Sequence, residues 1–425
     1  MSAFSGVKMR VLIHGLVLVA ALFVISPIAH GQARLVEGDN FSLDLGGNLQ
    51  MVSAYIDLPT LEIPEELQQA GIAPFPDSAG LGSVVGRIEW QAYLGDRVSV
   101  EIHNRFLWQA STVPDDVLQQ GFGVTPQGGS RFQTETKFLS QDNTRLSHDL
   151  DRFVVALFFE KVDLYIGRQA IQWGVSSLFP VADRFAPFSP FELDTLQRRG
   201  VDAIRGLANL GSNWELDLVV ADRGRGEPLA LAARAEYFAS FGDVYLGVGR
   251  FWERASLLGG VSWLQGNWKV YGEGEGLFHL DHREVELPRV TLGAQRVAMD
   301  WQIGAEFHLN GLGAANPQGY TDLLGSAPFQ RGETYFLGRY YGGLSGFYGS
   351  ETGWGIGGAL LANLGDPSLV IAPSFQYELE EQMTVSAGVY LGFGSPLEAD
   401  LTGIQLQSEY GSFADMYFLQ MTAFF

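Results

Sequence analysis

Cysteine is absent from this 425-residue chain, which excludes disulfides, metal thiolates and a thiol nucleophile. Charge is sparse, at 18 % of residues, and cations are the scarcer sign. Only 27 Lys and Arg stand against 48 Asp and Glu, a formal net charge of -21, so nucleic-acid binding through a general basic surface is excluded. Long apolar runs are missing as well. Beyond residue 25 nothing approaches the roughly twenty apolar residues of a transmembrane helix. Any membrane this chain occupies must therefore be crossed by strands. What is abundant is glycine, 53 residues, together with 12 % aromatics. In a large exported chain without disulfides, that composition suits closed hydrogen-bond ladders.

Export is read from the amino terminus. Lys8 and Arg10 precede an uncharged run over 11–25, and Ala29-His30-Gly31 supplies a small-x-small site. The pattern predicts a secretory leader over 1–31, cut near 31–33, with 34–425 as one domain. Removing the leader makes the chain more negative still.

Period-two alternation dominates the rest. In 87–93, Ile88, Trp90 and Ala92 alternate with Arg87, Glu89, Gln91 and Tyr93; in 98–108, Val98, Val100, Ile102 and Trp108 share a face opposite Ser99, Glu101, His103 and Arg105. Keeping both polar faces together requires the three-residue connection Gly95-Asp96-Arg97. A two-residue turn would set Trp90 against Glu101. The resulting register places Glu89 opposite His103 and Gln91 opposite Glu101. The run 297–309 alternates throughout, and 371–379 and 383–393 repeat the pattern.

Many segments reach ten residues, the span of a tilted membrane strand, with aromatics toward their ends. Tight connections at Gly95-Asp96, Glu160-Lys161, Gly211-Ser212, Gly242-Asp243 and Gly266-Asn267 alternate with long polar ones at 56–81, 110–148, 171–199, 311–332 and 395–412. The expectation is an all-β fold, a transmembrane antiparallel up-and-down β-barrel of about eighteen strands, with sixteen as the alternative because Pro288 weakens the region 285–309. In that fold Glu89, Glu101, His103, Arg105, Glu215, Asp217, Lys269, Glu273 and Glu275 fall on the lumen wall.

The last strand, 415–425, alternates Tyr417, Leu419, Met421 and Ala423 with Gln420 and Thr422 and ends on Phe425. With a leader at the other end, it resembles the closing strand of bacterial outer-membrane β-barrels. The resemblance implies recognition by the barrel assembly machinery, pairing with the first strand, and a setting of outer-membrane lipid and lipopolysaccharide.

One loop differs from the others. From Gly167-Arg168-Gln169 through Trp173-Gly174 to Gly206 it carries Arg168, Arg184, Arg198, Arg199 and Arg205, with several Pro and a dense set of Phe. Rings and prolines in a loop imply packing, because apolar rings left in water cost free energy. The segment resembles the GRQ…WG…P..D.F.PF.P…R.G stretch of a porin-like group of Gram-negative outer-membrane proteins. The match covers about forty residues; it implies the fold and leaves the solute undefined. The expectation is that 168–205 folds into the lumen, burying Phe185, Phe188 and Phe191, with the five Arg at a constriction favouring anions. The competing expectation is a plug whose Arg are paired by Glu215, Asp217, Glu273 and Glu275.

Enzyme signatures are weak. His279-Leu280-Asp281-His282 falls at a strand end, and Asp142, Asp149 and Asp151 lack EF-hand spacing. No G-x-S-x-G and no local cluster singles out a nucleophile. The resulting expectation is a porin-like channel for small hydrophilic solutes, without cofactor or metal, its oligomeric state open. The alternative is a plugged structural or surface-binding barrel, including a role in polysaccharide export or display; an outer-membrane hydrolase ranks last.

Overall fold

The computed structural model describes residues 33–59, 76–113, 131–141, 143–187, 196–400 and 403–425. Eighteen antiparallel strands close into a barrel. In order they are β1 Phe41–Asp57, β2 Ser78–Leu94, β3 Val98–Ser111, β4 Thr144–Phe158, β5 Val162–Gln169, β6 Val201–Asn209, β7 Trp214–Ala221, β8 Ala230–Ala239 and β9 Gly242–Phe251. The second half is β10 Arg254–Gln265, β11 Trp268–His279, β12 Arg289–Val297, β13 Trp301–Leu309, β14 Tyr340–Gly349, β15 Trp354–Asn363, β16 Ser368–Glu380, β17 Met383–Phe393 and β18 Asp415–Phe424. Each pairs with its sequence neighbour. β18 closes the ring, with Met421 opposite Val385 of β17 on one side and Met51 of β1 on the other.

Three short strands extend this wall at its rims. Ala33–Gly38 continues the edge of β1 next to β18, Thr136–Gln141 adds to β4, and Glu284–Val285 adds to β11.

Alternation sorts the two faces as the sequence predicts. On β9, Leu246 is 66 % exposed on the outside while its neighbour Tyr245 is 2 % exposed on the inside. Leu257, Leu292, Ile303 and Leu344 likewise stand outward and open. Such a belt of exposed aliphatics is stable only against lipid. The predicted register between β2 and β3 is observed: Glu89 faces His103 and Gln91 faces Glu101. The eight connections at one rim span two to four residues, whereas the long loops all lie at the other.

Some boundaries move. The alternating run 297–309 is not one strand: β12 extends to Val297, and 298–300 form the turn, closed by the Ala298 amide donating to the Trp301 carbonyl at 2.8 Å. Met299, expected on the lipid face, is 98 % exposed in that turn. The start of β12 is set by Pro288, which cannot donate to a ladder; the strand begins after it, at Arg289. Reading the chain by parity alone would start β14 at 333; it begins only at Tyr340, because Glu333, Phe336 and Leu337 are buried beneath neighbouring loops. Both shifts leave strand number and parity intact.

Candidate functional site

The connection from β5 to β6 leaves the rim and lies against the inner wall. Its first requirement is a closed turn. Asp183 supplies it: one carboxylate oxygen accepts the amides of Trp173 and Gly174, both at 2.8 Å. Its second oxygen pairs with Arg198 at 2.7 Å. Trp173 and Phe185 then meet edge to face at 5.1 Å and pack with Phe251 and Tyr245 in one apolar cluster. Farther along, Phe179 stacks on His308 (centroids 5.1 Å apart) and touches Phe336 and Tyr341. Gly343 of β14 makes room for this tip, because a Cβ there would fall 2.9 Å from the Phe179 ring.

Polar groups of the loop backbone cannot remain unpaired in such a place. Two wall carboxylates satisfy them. Glu273 on β11 accepts the amides of Val175 (2.9 Å) and Val181 (2.5 Å). Glu306 on β13 accepts those of Ser177 (2.7 Å), Leu178 (3.2 Å) and Phe179 (3.0 Å). Thr291 donates its hydroxyl to the Phe179 carbonyl at 2.7 Å.

A repeated cross-strand row sets both carboxylates. Tyr245 on β9 lies over Gly260 on β10 and donates to Glu273 on β11 at 3.2 Å. Tyr271 on β11 lies over Gly293 on β12 and donates to Glu306 on β13 at 2.5 Å. In each row the middle residue must be glycine, since a Cβ would run into the tyrosine ring. The ring therefore lies along the wall instead of standing into the lumen.

The five arginines do not act together. Arg168 sits on the outward parity of β5, aligned with Ile166 and opposite Asp202, which it grips at 2.9 Å. It also donates to the carbonyls of Leu150 (3.0 Å) and Phe132 (2.8 Å), fastening the segment around Thr134 to β4. Its place in a lumen constriction is thus corrected by strand parity. Arg184 is buried between Glu275 (3.2 Å) and Glu333 (2.7 Å), and Glu275 also pairs with Arg289 (3.1 Å). Arg205 forks onto Asp217, which also accepts the Trp173 indole N–H, each at 2.7 Å. Arg199 is exposed. Phe185 is buried as expected; Phe188 and Phe191 lie outside the described residues.

The other wall residues divide similarly. His103 contacts Glu101 at 2.9 Å and Glu89 at 4.0 Å, and Arg152 reaches Glu101 at 3.4 Å. Gln197 of the loop donates to Glu89, so the loop touches this wall too. Arg105 lies inward between Arg87 and Asp149, and Glu215 inward beside Glu236. Lys269 donates to the Val175 carbonyl at 3.3 Å. The rings of His279, at the end of β11, and His282, in the turn after it, lie tilted with centroids 4.3 Å apart, while Asp149 and Asp151 face arginines; Asp142 lies outside the described residues.

At the rim, Trp252 occupies a left-handed backbone conformation (φ 52°) in the two-residue turn after β9. Arg223 lies over its ring at 4.6 Å and donates to the carbonyls of Phe185 and Arg184. Burial, with Arg184 nearby, holds the Arg223 guanidinium down to about 9. The sequence reading missed Glu306, Tyr245, Tyr271 and Arg223. Parity alone puts the first three on the wall, but only the rows single them out.

No protein-family model matches the chain, and no curated protein matches it in sequence. Solved structures do. OccAB4 of Acinetobacter baumannii superimposes with a TM-score of 0.53 at 8 % identity, covering 90 % of this chain and 98 % of that one. The outer membrane protein OpdK of Pseudomonas aeruginosa gives 0.53 at 9 % identity, over 90 % and 98 %. OpdQ of the same organism gives 0.52 at 9 %, over 92 % and 99 %. At such identities the likeness is one of fold.

Proposed function

We propose that this chain is an outer-membrane diffusion channel for small hydrophilic solutes, with the β5–β6 loop as its constriction. The observation that carries the reading is a loop bound to the inner wall of a closed barrel whose outer belt is aliphatic. A loop seated by carboxylates that accept its own amides narrows an aqueous path without filling it with side chains alone. Selectivity then follows from pore width and fixed charge. OpdK, a barrel of like fold, is described as an outer membrane protein, which favours the same location here.

The proposal includes a cleaved leader over 1–31, insertion through the barrel assembly machinery by way of β18 and Phe425, and contact with lipid and lipopolysaccharide. It assigns the chain no reaction and leaves oligomeric state open. The plugged-barrel reading has its own support, since Arg184, Arg198 and Arg205 are each paired with a carboxylate. Conductance of the purified protein in planar bilayers decides between them. A channel gives steady ohmic current steps; a silent bilayer with correctly folded protein would leave the plugged scaffold.

A further inference from the structure

The lumen wall has two unlike halves. From β2 to β13 the inward positions are rich in paired charges: Arg87, His103, Asp217, Glu273, Arg289 and Glu306 are all buried there. From β14 to β18 the inward positions are uncharged down to Glu378 at the turn rim: Leu361, Asn363, Val370 and Met416 toward the loop rim, then glycine, alanine, serine, glutamine, threonine and aromatic residues. Within that uncharged half one ring is set apart. Phe347 of β14 is inward-facing yet 40 % exposed. It lies flat on main chain: a Cβ at Gly355 would fall 2.8 Å from its Cζ, and one at Gly357 3.1 Å from its Cδ2. One face of the ring is thus supported by the wall while the other remains open.

The inward groups directly beside that open face are uncharged hydrogen-bonding groups, and the first carboxylate toward the turn rim is Glu378, one inward position beyond Gln376. Gln302 is the direct partner of Phe347 on β13, and Ser374 lies two strands away on β16, beyond Gly357. Gln376 opposes Gly355, and Ser386 and Gln420 continue the same row across β17 and β18. At about 4.8 Å per strand, this sets amides and hydroxyls within roughly 5–10 Å of the ring. Phe179 covers Gly343, four residues before Phe347 on the same strand. The open ring is therefore on the turn side of the docked loop, where a solute leaving the constriction arrives.

From this geometry we infer that Phe347 and its uncharged surroundings form a binding step for free monosaccharides. A pyranose has a C–H face that rests on an aromatic ring and equatorial hydroxyls that seek neutral donors and acceptors. An ionic solute finds no countercharge on Gln302, Ser374, Gln376 or Ser386. This deepens the channel reading and rests on it for its physiological meaning, but binding itself is measurable without current.

The test is ligand-observed saturation-transfer NMR on the full protein in detergent, titrating glucose and, separately, gluconate. Glucose is expected to bind with the ring C–H protons most strongly saturated. Phe347→Ala should weaken it at least about fivefold, the effect of losing roughly 1 kcal/mol, while Phe347→Tyr retains it. Gln376→Ala, which leaves the ring in place, should weaken it less. Heat-modifiable gel mobility verifies that each variant is a folded barrel. No glucose signal, equal affinity in Phe347→Ala, or tighter binding of gluconate than glucose would each overturn the inference. Bilayer conductance is recorded in parallel: binding without current would sink the channel reading alone, and current without binding would sink this inference alone.

Discussion

Glu306 gathers more donors than any other side chain on the loop's seat: three consecutive loop amides and the Tyr271 hydroxyl. Hydrogen bonds to a charged acceptor contribute about 1.5–3 kcal/mol each, and Glu306→Gln replaces one acceptor oxygen with a competing donor. Amide exchange at Ser177, Leu178 and Phe179 should accelerate by roughly 10- to 100-fold, at about 1.4 kcal/mol per decade. Unchanged exchange would mean that packing of Phe179 alone seats the loop. Field effects are tested at a different residue. Arg198 is bound to Asp183, so the pair acts as a dipole and its loss loosens the turn; Arg199 is exposed. Arg199→Ala is therefore expected to move the reversal potential toward cations at low salt. The shift should vanish near 1 M, where screening limits the reach of charge to about 3 Å. A reversal potential equal to wild type at low salt would place the selective field elsewhere.

At the scale of elements, the loop before β18 is fastened by a buried acid. Glu409 accepts the Leu337 amide (3.0 Å), the Asn363 side-chain amide (2.8 Å) and the Tyr341 hydroxyl, while its own amide donates to Asp366 (2.7 Å). Tyr320 donates to Asp366, and Tyr410 packs alongside, so β14, the β15–β16 turn and the β13–β14 loop all converge here. Burial pushes Glu409 up to about 7, with Asp366 adding to the rise against the three hydrogen bonds. A carboxyl raised in the docked form holds a proton there that the undocked segment releases. Docking is thus firmest below the ordinary carboxylate range near 4.5, and it weakens as pH rises from there through about 7. Exchange of the amides in 408–412, corrected for intrinsic rates, should show looser docking at pH 8 than at pH 5. Glu409→Gln should flatten that difference; a pH dependence that survives it would show that Glu409 is not the titrating group.

For the whole molecule, the two rims predict an orientation. Long loops of such barrels face outward and short turns face the periplasm. Because the chain lacks cysteine, single cysteines introduced in 311–332 should react with a membrane-impermeant maleimide on intact cells, whereas Ser212→Cys and Asn267→Cys should not. Labelling confined to the turns would invert the assignment. The described loop residues sharpen the choice of probe: Asp322 and Gln330 are exposed, whereas Tyr320 and Phe329 in the same stretch are buried.

Strand number, parity and the short-long alternation of connections were legible in the chain, because each is a local consequence of a pleat with lipid on one side and water on the other. Glu89 opposite His103 followed from a three-residue turn and a two-residue period alone. Where a strand begins was less so. Tyr340 starts β14 only because Glu333 and Phe336 are held elsewhere by distant partners. The arginine-rich loop was visible as something that packs, but not what seats it. Tyr245, Gly260 and Glu273 lie on three strands, and nothing local marks them as one row. Closing the barrel brings strands remote in sequence into register, and that decided which carboxylates receive amides, which receive arginines, and that Arg168 belongs to the outside.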